Sequence, residues 1–266
     1  FKEQAYFSKE IIKYPVNVSF KNLGDDVNSI YNDMHPYITD KENLIIFTSN
    51  RKEVRGGYPI GDGYFPDIML TKVKKGRDSY KGARSMTGSF NTEFDEMAAG
   101  GSSNGSYLIY TTNEEFQIFN LKISYKAPKK RSYPPAKYLE GINGRNSNEM
   151  SATITNDGEL LIFSSNRKGG YGGFDLWISK KLPDGNWGTP INMGPDINTE
   201  LDETYPNFSS DQSFMTFASS GLKGMGGYDL FKTEFSEELK IWTKPKNLGY
   251  PINTAYDDHT ITFVKK

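Results

Sequence analysis

The chain has 266 residues, with 32 Lys plus Arg against 33 Asp plus Glu and a net charge of -1; without a bulk basic field, nucleic acid is not the default partner. It contains no cysteine, which excludes a disulfide, a thiolate nucleophile and a cysteine-ligated metal. No apolar run approaches the roughly 20 residues of a membrane-spanning helix, and the length suits one domain over 1–266 with its own core.

The sequence opens at Phe1 with no leader peptide, so an excised or mature segment is expected. Aromatic residues make up 14% and glycines number 26, against 36% hydrophobic residues. That balance suits short strands joined by frequent turns, an all-β fold. No helical period is sustained, and the best helical candidate is one turn over Phe235 to Leu239.

In chain order, Ala5 to Lys9 reads as a strand and Tyr14 to Phe20 as an outer strand. They lead into the turn Asn22-Leu23-Gly24-Asp25-Asp26-Val27-Asn28, followed by Asp33. The same turn recurs at Asn192-Met193-Gly194-Pro195-Asp196-Ile197-Asn198, ending in Asp202-Glu203. It recurs again at Asn247-Leu248-Gly249-Tyr250-Pro251-Ile252-Asn253, ending in Asp257-Asp258. Weaker copies end at Glu96 and Glu149. After each acid come a short strand and a polar turn (Asp40-Lys41-Glu42, Asn104-Gly105, Asn156-Asp157-Gly158, Ser210-Asp211-Gln212) with hairpin chemistry. An apolar strand then ends in a hydroxyl pair: Leu44 to Ser49, Tyr107 to Thr112, Leu160 to Ser165, Phe214 to Ser220. A loop and a third strand opening at Asp67, Asp175 or Asp229 follow, and a fourth strand passes through Trp187 or Trp242. A repeat of four strands cannot bury its faces alone, and radial stacking solves that. Five acidic turns predict a five-bladed β-propeller. The N- and C-terminal segments are expected to share one blade and close the ring, with that blade one strand short.

The run Phe163-Ser164-Ser165-Asn166-Arg167, Gly169-Gly170, Gly172-Gly173-Phe174-Asp175-Leu176-Trp177 resembles the WD40-like (PD40) repeat of TolB-type β-propellers. Trp187, Pro190, Asn192, Gly194, Ile197-Asn198-Thr199 and Asp202-Glu203 extend the match. The resemblance is strong over 138–258, fair over 22–76 and poor in the second repeat. It implies a protein-interaction scaffold in the periplasm, associated with the outer membrane, in a family of OmpA-type envelope lipoproteins not known for catalysis. The Gly-Gly loop is similar to that of a propeller in the type IX secretion machinery, flanked there by tetratricopeptide repeats and an OmpA-like domain. Neither flank lies in this chain. The resemblance implies partners among envelope or secretion-complex proteins, no cofactor, and peptidoglycan contact only through a flanking domain.

Several residues carry candidate chemistry. Asp33, Glu96, Glu149, Glu203 and Asp258 would circle one mouth of the channel, where a cation or a basic partner would relieve their repulsion. Equally, each acid could accept hydrogen bonds from turn amides. Asp67, Asp175 and Asp229 read as structural acids held by the preceding Ser pair or by loop amides, with a ligand loop as the other reading; the second repeat has Gln117 there. The glycines of these loops form no phosphate loop, because no helix follows. His35 and His259 form a weak metal pair, and no Gly-x-Ser-x-Gly elbow is present. The enlarged loop Glu53 to Pro66 with Tyr58, Tyr64 and Phe65 is a candidate partner loop; folding over its own blade edge is the alternative. The basic, proline-rich run from Lys126 to Pro135 reads as a solvated connector or an anionic contact. The reading from these residues is a non-catalytic scaffold. The alternative is a glycan-binding or glycan-hydrolysing propeller using channel-mouth carboxylates such as Glu149 with Glu203.

Overall fold

The structure is a computed structural model and describes residues 2–40, 43–52, 59–60, 63–74, 79–115 and 118–264. Four antiparallel sheets of four strands account for most of it, each wound in chain order from an inner to an outer strand. Blade one holds Asp33–Ile38, Leu44–Ser49, Asp67–Lys72 and Arg84–Ser85. Blade two holds Glu96–Gly101, Tyr107–Glu115, Ile118–Tyr125 and Lys137–Tyr138. Blade three holds Glu149–Ile154, Leu160–Ser165, Asp175–Lys180 and Ile191–Asn192, and blade four Glu203–Phe208, Met215–Ser219, Asp229–Thr233 and Lys246–Asn247. Outer strands are two residues long, so little edge is left open to pair with other chains.

Strand alternation builds the core between blades. Ile162 and Leu176 of blade three face blade four and pack with Phe208, Met215, Phe217 and Phe231. Their neighbours Leu161, Phe163 and Trp177 face blade two and pack with Ile109 and Leu121. Phe163, Phe217 and Ile162 are 0% exposed, and each such side chain contributes about 1.5–3 kcal/mol on burial.

One asparagine per turn locks outer turn to third strand. Asn198 accepts the Leu176 N–H (2.8 Å) and donates to the Leu176 carbonyl (3.0 Å). Asn253 does the same to Leu230, Asn91 to Ile68 and Asn143 to Leu121. The side chain thereby supplies the two hydrogen bonds of a missing ladder rung and satisfies buried backbone groups.

The expected five blades are corrected to four. Asp258 opens an extended segment where a fifth inner strand would run, but that segment joins no sheet among the described residues. It is held on both sides: the Asn207 amide donates to the Ile261 carbonyl (2.7 Å), and the Thr262 hydroxyl to the Pro36 carbonyl (3.2 Å). The N-terminal segment supplies no strand to it. Lys2–Ile11 is a helix, not the strand expected over Ala5 to Lys9. Good helix formers such as Gln4, Ala5 and Glu10 win where no strand is available to pair. The helix docks on blade four through Gln4, which donates to the Gly226 carbonyl, and Phe7, whose ring lies 5.0 Å from the Lys223 ammonium. Tyr14 to Phe20 is extended but forms no ladder, touching blade four through Val16 N–H to the Tyr250 carbonyl (2.7 Å). The helical turn expected over Phe235 to Leu239 is instead a ribbon pairing Phe235–Ser236 with Ile241–Trp242, closed by Phe235 against Trp242.

Candidate functional site

Asp33, Glu96, Glu149 and Glu203 each open an inner strand directly after the turn, and Asp258 stands at the matching place after its own turn. Glu203 accepts the Thr199 N–H (2.7 Å) and hydroxyl (2.8 Å) four residues back, and the Ser219 hydroxyl (2.6 Å) from the end of the second strand. Glu96 does the same with Thr92 and Thr112. Glu149 accepts from Gly144, Ser147, Ser165 and the Arg167 guanidinium (3.0 Å). Asp33 accepts from Ser29 and from Arg51 (2.6 Å), and Asp258 from the Thr254 N–H (2.6 Å) and hydroxyl (3.1 Å). Glu96, Glu149 and Glu203 are 0% exposed. The carboxylates are thus turned into their own turns rather than toward a common mouth.

Their electrostatics differ. Burial pushes Glu96 up to about 7, with Asp67 adding repulsion and the Thr92 bonds opposing it. Burial raises Glu203 as well. Burial works against Asp33 too, but hydrogen bonds from Ser49, Arg51 and Ser29 outweigh it and hold that carboxyl below its ordinary value.

The acid preceding each of these works between blades. Asp202 accepts the Phe174 N–H (2.7 Å) of blade three, and Asp257 the Tyr228 N–H (3.0 Å) of blade four. In return the Glu203 N–H donates to the Phe174 carbonyl (2.6 Å) and the Asp258 N–H to the Tyr228 carbonyl (2.8 Å). The acid pair is therefore a two-way clamp onto the glycine-rich loop of the preceding blade. Glycine is required there by approach: a Cβ on Gly172 would strike the Leu201 carbonyl, and one on Gly226 the Tyr256 carbonyl.

That loop also wraps the third-strand acid. Asp175 accepts N–H groups from Tyr171 (2.6 Å) and Gly172 (3.2 Å), and the Asn192 amide (2.8 Å). Asp229 accepts from Met225 (2.5 Å) and Gly226 (3.2 Å). Loop amides hold both, not the Ser pair of the preceding strand. Asp67 is fully buried at the same register position, paired with Ser49 across the ladder.

The ring axis is nearly filled. A cavity of about 30 Å³ is lined by His35, Ala98, Gly100, Tyr205 and Thr260, room for about one water. None of the five acids lines it. A larger opening of about 510 Å³ lies where the fifth blade would stand, bordered by Phe20, Asp33, Leu230, Asp258 and His259. Of the five acids, this opening brings Asp33 and Asp258 to one place. His35 and Tyr205, both in the left-handed region (φ 52 and 51), stack at 4.5 Å, and His259 lies 5.6 Å from Tyr205 and 4.6 Å from Tyr228. Burial, with His259 adding to it, holds His35 down at about 4, so an aromatic stack rather than an ion pair joins these residues. No cluster of three or more His, Cys, Asp or Glu able to hold a metal occurs among the described residues.

In the enlarged first loop, Tyr58 lies outside the described residues. Tyr64 and Phe65 are part-buried, and Tyr64 packs edge-on to Tyr31 at 6.2 Å, folding that end of the loop onto its own blade. The Lys126 ammonium covers the Tyr133 ring at 4.5 Å, while Lys129 to Arg131 are exposed. Sequence reasoning missed Arg51, Arg167 and the pinning asparagines. Their signal was present: Ser-Asn-Arg recurs at 49–51 and 165–167, and Asn28, Asn91, Asn198 and Asn253 each stand five residues before an acid.

No family model matches the chain, and no curated protein matches it. Among solved structures it is similar to TolB from Acinetobacter baumannii, at 14% identity over 83% of this chain and 45% of that one, TM-score 0.51. It is also similar to a Hadza microbial sialidase (12% identity, 84% and 48% covered, TM-score 0.48) and to a putative TolB from Agrobacterium tumefaciens (11%, 86% and 86%, TM-score 0.44). The likeness to the first shows a TolB-like β-propeller fold, and the chain spans less than half the length of that TolB.

Proposed function

We propose that this chain is a non-catalytic protein-interaction scaffold, the propeller of a periplasmic, outer-membrane-associated protein of the type IX secretion machinery that resembles PorE. The observation that carries the reading is where the acids point. Glu96, Glu149 and Glu203 are fully buried and bonded within their own blades, so they serve the ring's integrity and leave the loops and the open fifth position as recognition surface. The Gly-Gly loop behind the PorE resemblance is used in the same way, as the socket of the clamp.

A second reading, glycan hydrolysis, rests on Glu96. Its pKa near 7 suits a general acid, but its 0% exposure keeps substrate away. Affinity capture from a native envelope extract, with this domain as bait and mass spectrometry as readout, tests the scaffold. Reciprocal recovery of secretion or outer-membrane components is the expected result. Turnover in a glycan hydrolysis screen that Glu96→Gln abolishes would move the assignment to the enzyme.

A further inference from the structure

The wedge between neighbouring blades opens outward, and its outer end takes an aromatic residue from the connector that leads into the following blade's outer strand. Trp187 joins Tyr107 and Ile123 on the core between blades two and three. Trp242 joins Leu160 and Ile178 on the core between blades three and four. Tyr133 is the matching residue between blades one and two, where it joins Leu44 and Leu70. That first wedge keeps a cavity of about 110 Å³, and four cations line it: Lys72, Arg84, Lys126 and Arg131.

Strand register explains why they meet. Leu44 pairs with Lys72 and Leu70 with Arg84, so all four stand on one face of blade one. Leu44 and Leu70 pack on the core shared with blade two, so that face is the one turned to the wedge. Lys126 and Arg131 come from blade two's basic, proline-rich connector, and its ends are pinned. The Lys126 N–H donates to the Ser106 carbonyl (2.7 Å), the Tyr133 hydroxyl to the Gly105 carbonyl (2.9 Å) and the Ser124 hydroxyl to the Pro134 carbonyl (2.6 Å). The positions of Lys72, Arg84 and Lys126 hold Tyr125, Lys137 and Lys181 in the second wedge, and Lys180, Ile191 and Phe235 in the third. Three cations together are therefore particular to the first.

Nothing balances them. No acid lines the cavity, and none of the four cations pairs with an acid among the described residues. Burial, with the Lys72 ammonium adding repulsion, holds Lys126 below its ordinary value. Lys72, Arg84 and Arg131 are exposed, so the mouth is open to a solute.

We infer that the wedge between blades one and two is a binding site for a phosphate monoester, whose phosphate is held by Lys72, Arg84, Lys126 and Arg131. A carboxylate would offset one of these charges. A monoester phosphate brings close to two at neutral pH and three oxygens, which suit guanidinium forks and ammonium groups together. The cavity has room for several waters, enough for a phosphate group, and Leu44 and Leu70 on its wall meet the carbon part of the ester. The site stands apart from the scaffold reading and does not depend on it.

The probe is phenyl phosphate, titrated by calorimetry at low ionic strength. The expected result is saturable one-to-one binding, about tenfold or more tighter than benzoate. Lys126→Gln and Arg131→Gln each weaken it about tenfold, the loss of one charge-assisted bond. Lys130→Gln, at an exposed cation of the same connector that does not line the cavity, leaves it unchanged. Arg131 is exposed, so its variant keeps the fold even if Lys126→Gln does not. Phenyl phosphate at about ten times its Kd raises the melting temperature of the parent by about 3 °C, and Arg131→Gln removes most of that gain at the same concentration. Sedimentation with phosphatidic acid vesicles, lost in Arg131→Gln and kept in Lys130→Gln, assigns the ester to a lipid headgroup. Phenyl phosphate binding without vesicle binding assigns it to a soluble ester. Failure to bind either probe overturns the inference. So does benzoate binding as tight as phenyl phosphate, or an equal loss in Lys130→Gln and Arg131→Gln, which would mean diffuse charge and no site.

Discussion

Glu149 and Glu96 stand at the same place in successive blades, both 0% exposed, both bonded to their own turn, yet their surroundings are opposite. Glu149 meets Arg167 at 3.0 Å. In blade two the matching position, two residues past the hydroxyl of Thr112, is Glu114, which turns away to Lys122 and Tyr138, and Glu96 is left with neutral donors and pushed up to about 7. Blade one follows blade three, with Arg51 on Asp33 at 2.6 Å. Blade four follows blade two, with Gly221 at the matching position and Glu203 raised by burial. One turn geometry thus serves an acid with a cationic neighbour and an acid without one, and the residue two places past the second-strand hydroxyl decides which. The geometry belongs to the repeat, and the charged neighbour belongs to the individual blade.

The largest effect is expected from breaking the charged version. Arg167→Ala strands a fully buried carboxylate, which costs about 3 kcal/mol or more, and removes a guanidinium lying 4.7 Å from the Phe163 ring. A fall in melting temperature of about 6–12 °C follows for a chain of this size. The double variant Arg167→Met, Glu149→Gln is expected to recover most of that loss, since neither partner is then left charged and buried. Failure to recover would assign the cost to packing. Arg51→Ala should cost less, about 1 kcal/mol, because Asp33 keeps a 12% exposed side chain that water can solvate.

The same contrast extends to the pinning asparagines. Asn198→Ala uncovers the buried N–H and carbonyl of Leu176 and is expected to cost about 2 kcal/mol, read by urea denaturation. Asn28→Ala, at the open fifth position, uncovers no third strand and should stay within about 0.5 kcal/mol of the parent in the free protein. Equal costs would mean that Asn28 already has a full set of partners.

The four-stranded repeat was legible because its turn chemistry is written in side chains, Asn, Gly, Asn and the acid, at fixed offsets. The blade count was not. Counting acidic turns counts inner-strand starts, not completed blades: the segment after Asp258 joins no sheet among the described residues. Ala5 to Lys9 shows the matching local error, since five residues carry too little pattern to separate a third strand from a helix until the docking of Gln4 and Phe7 decides. The site was half-legible. The acids were found from repetition, but where each carboxylate points depends on a Ser or Thr two or four residues back and, in blades one and three, on Arg51 or Arg167, which only become neighbours once the second strand folds alongside.

A pH-dependent effect sharpens the comparison from the neutral side. Glu96 has an ordinary value of 4.5 and a folded value of about 7, so folding takes up a proton between them. Its contribution is full below 4.5, falls as pH rises through 7, and is gone above that. Asp33 runs the other way: its folded value lies below the ordinary 3.8, so its contribution is present above 3.8 and is lost as pH falls through the folded value. Acidifying from about pH 8 to about pH 5 should therefore strengthen blade two and leave blade one unchanged. Glu96→Gln fixes the neutral state. Its carbonyl can accept the Thr92 N–H while its amide donates to the Thr92 and Thr112 hydroxyls, now acting as acceptors. The variant is expected to gain up to about 3 kcal/mol at about pH 8, gain nothing at about pH 5, and flatten the pH dependence of stability between them. A variant less stable than the parent at both pH values would show that the turn needs the charge, and would place blade two with blade three.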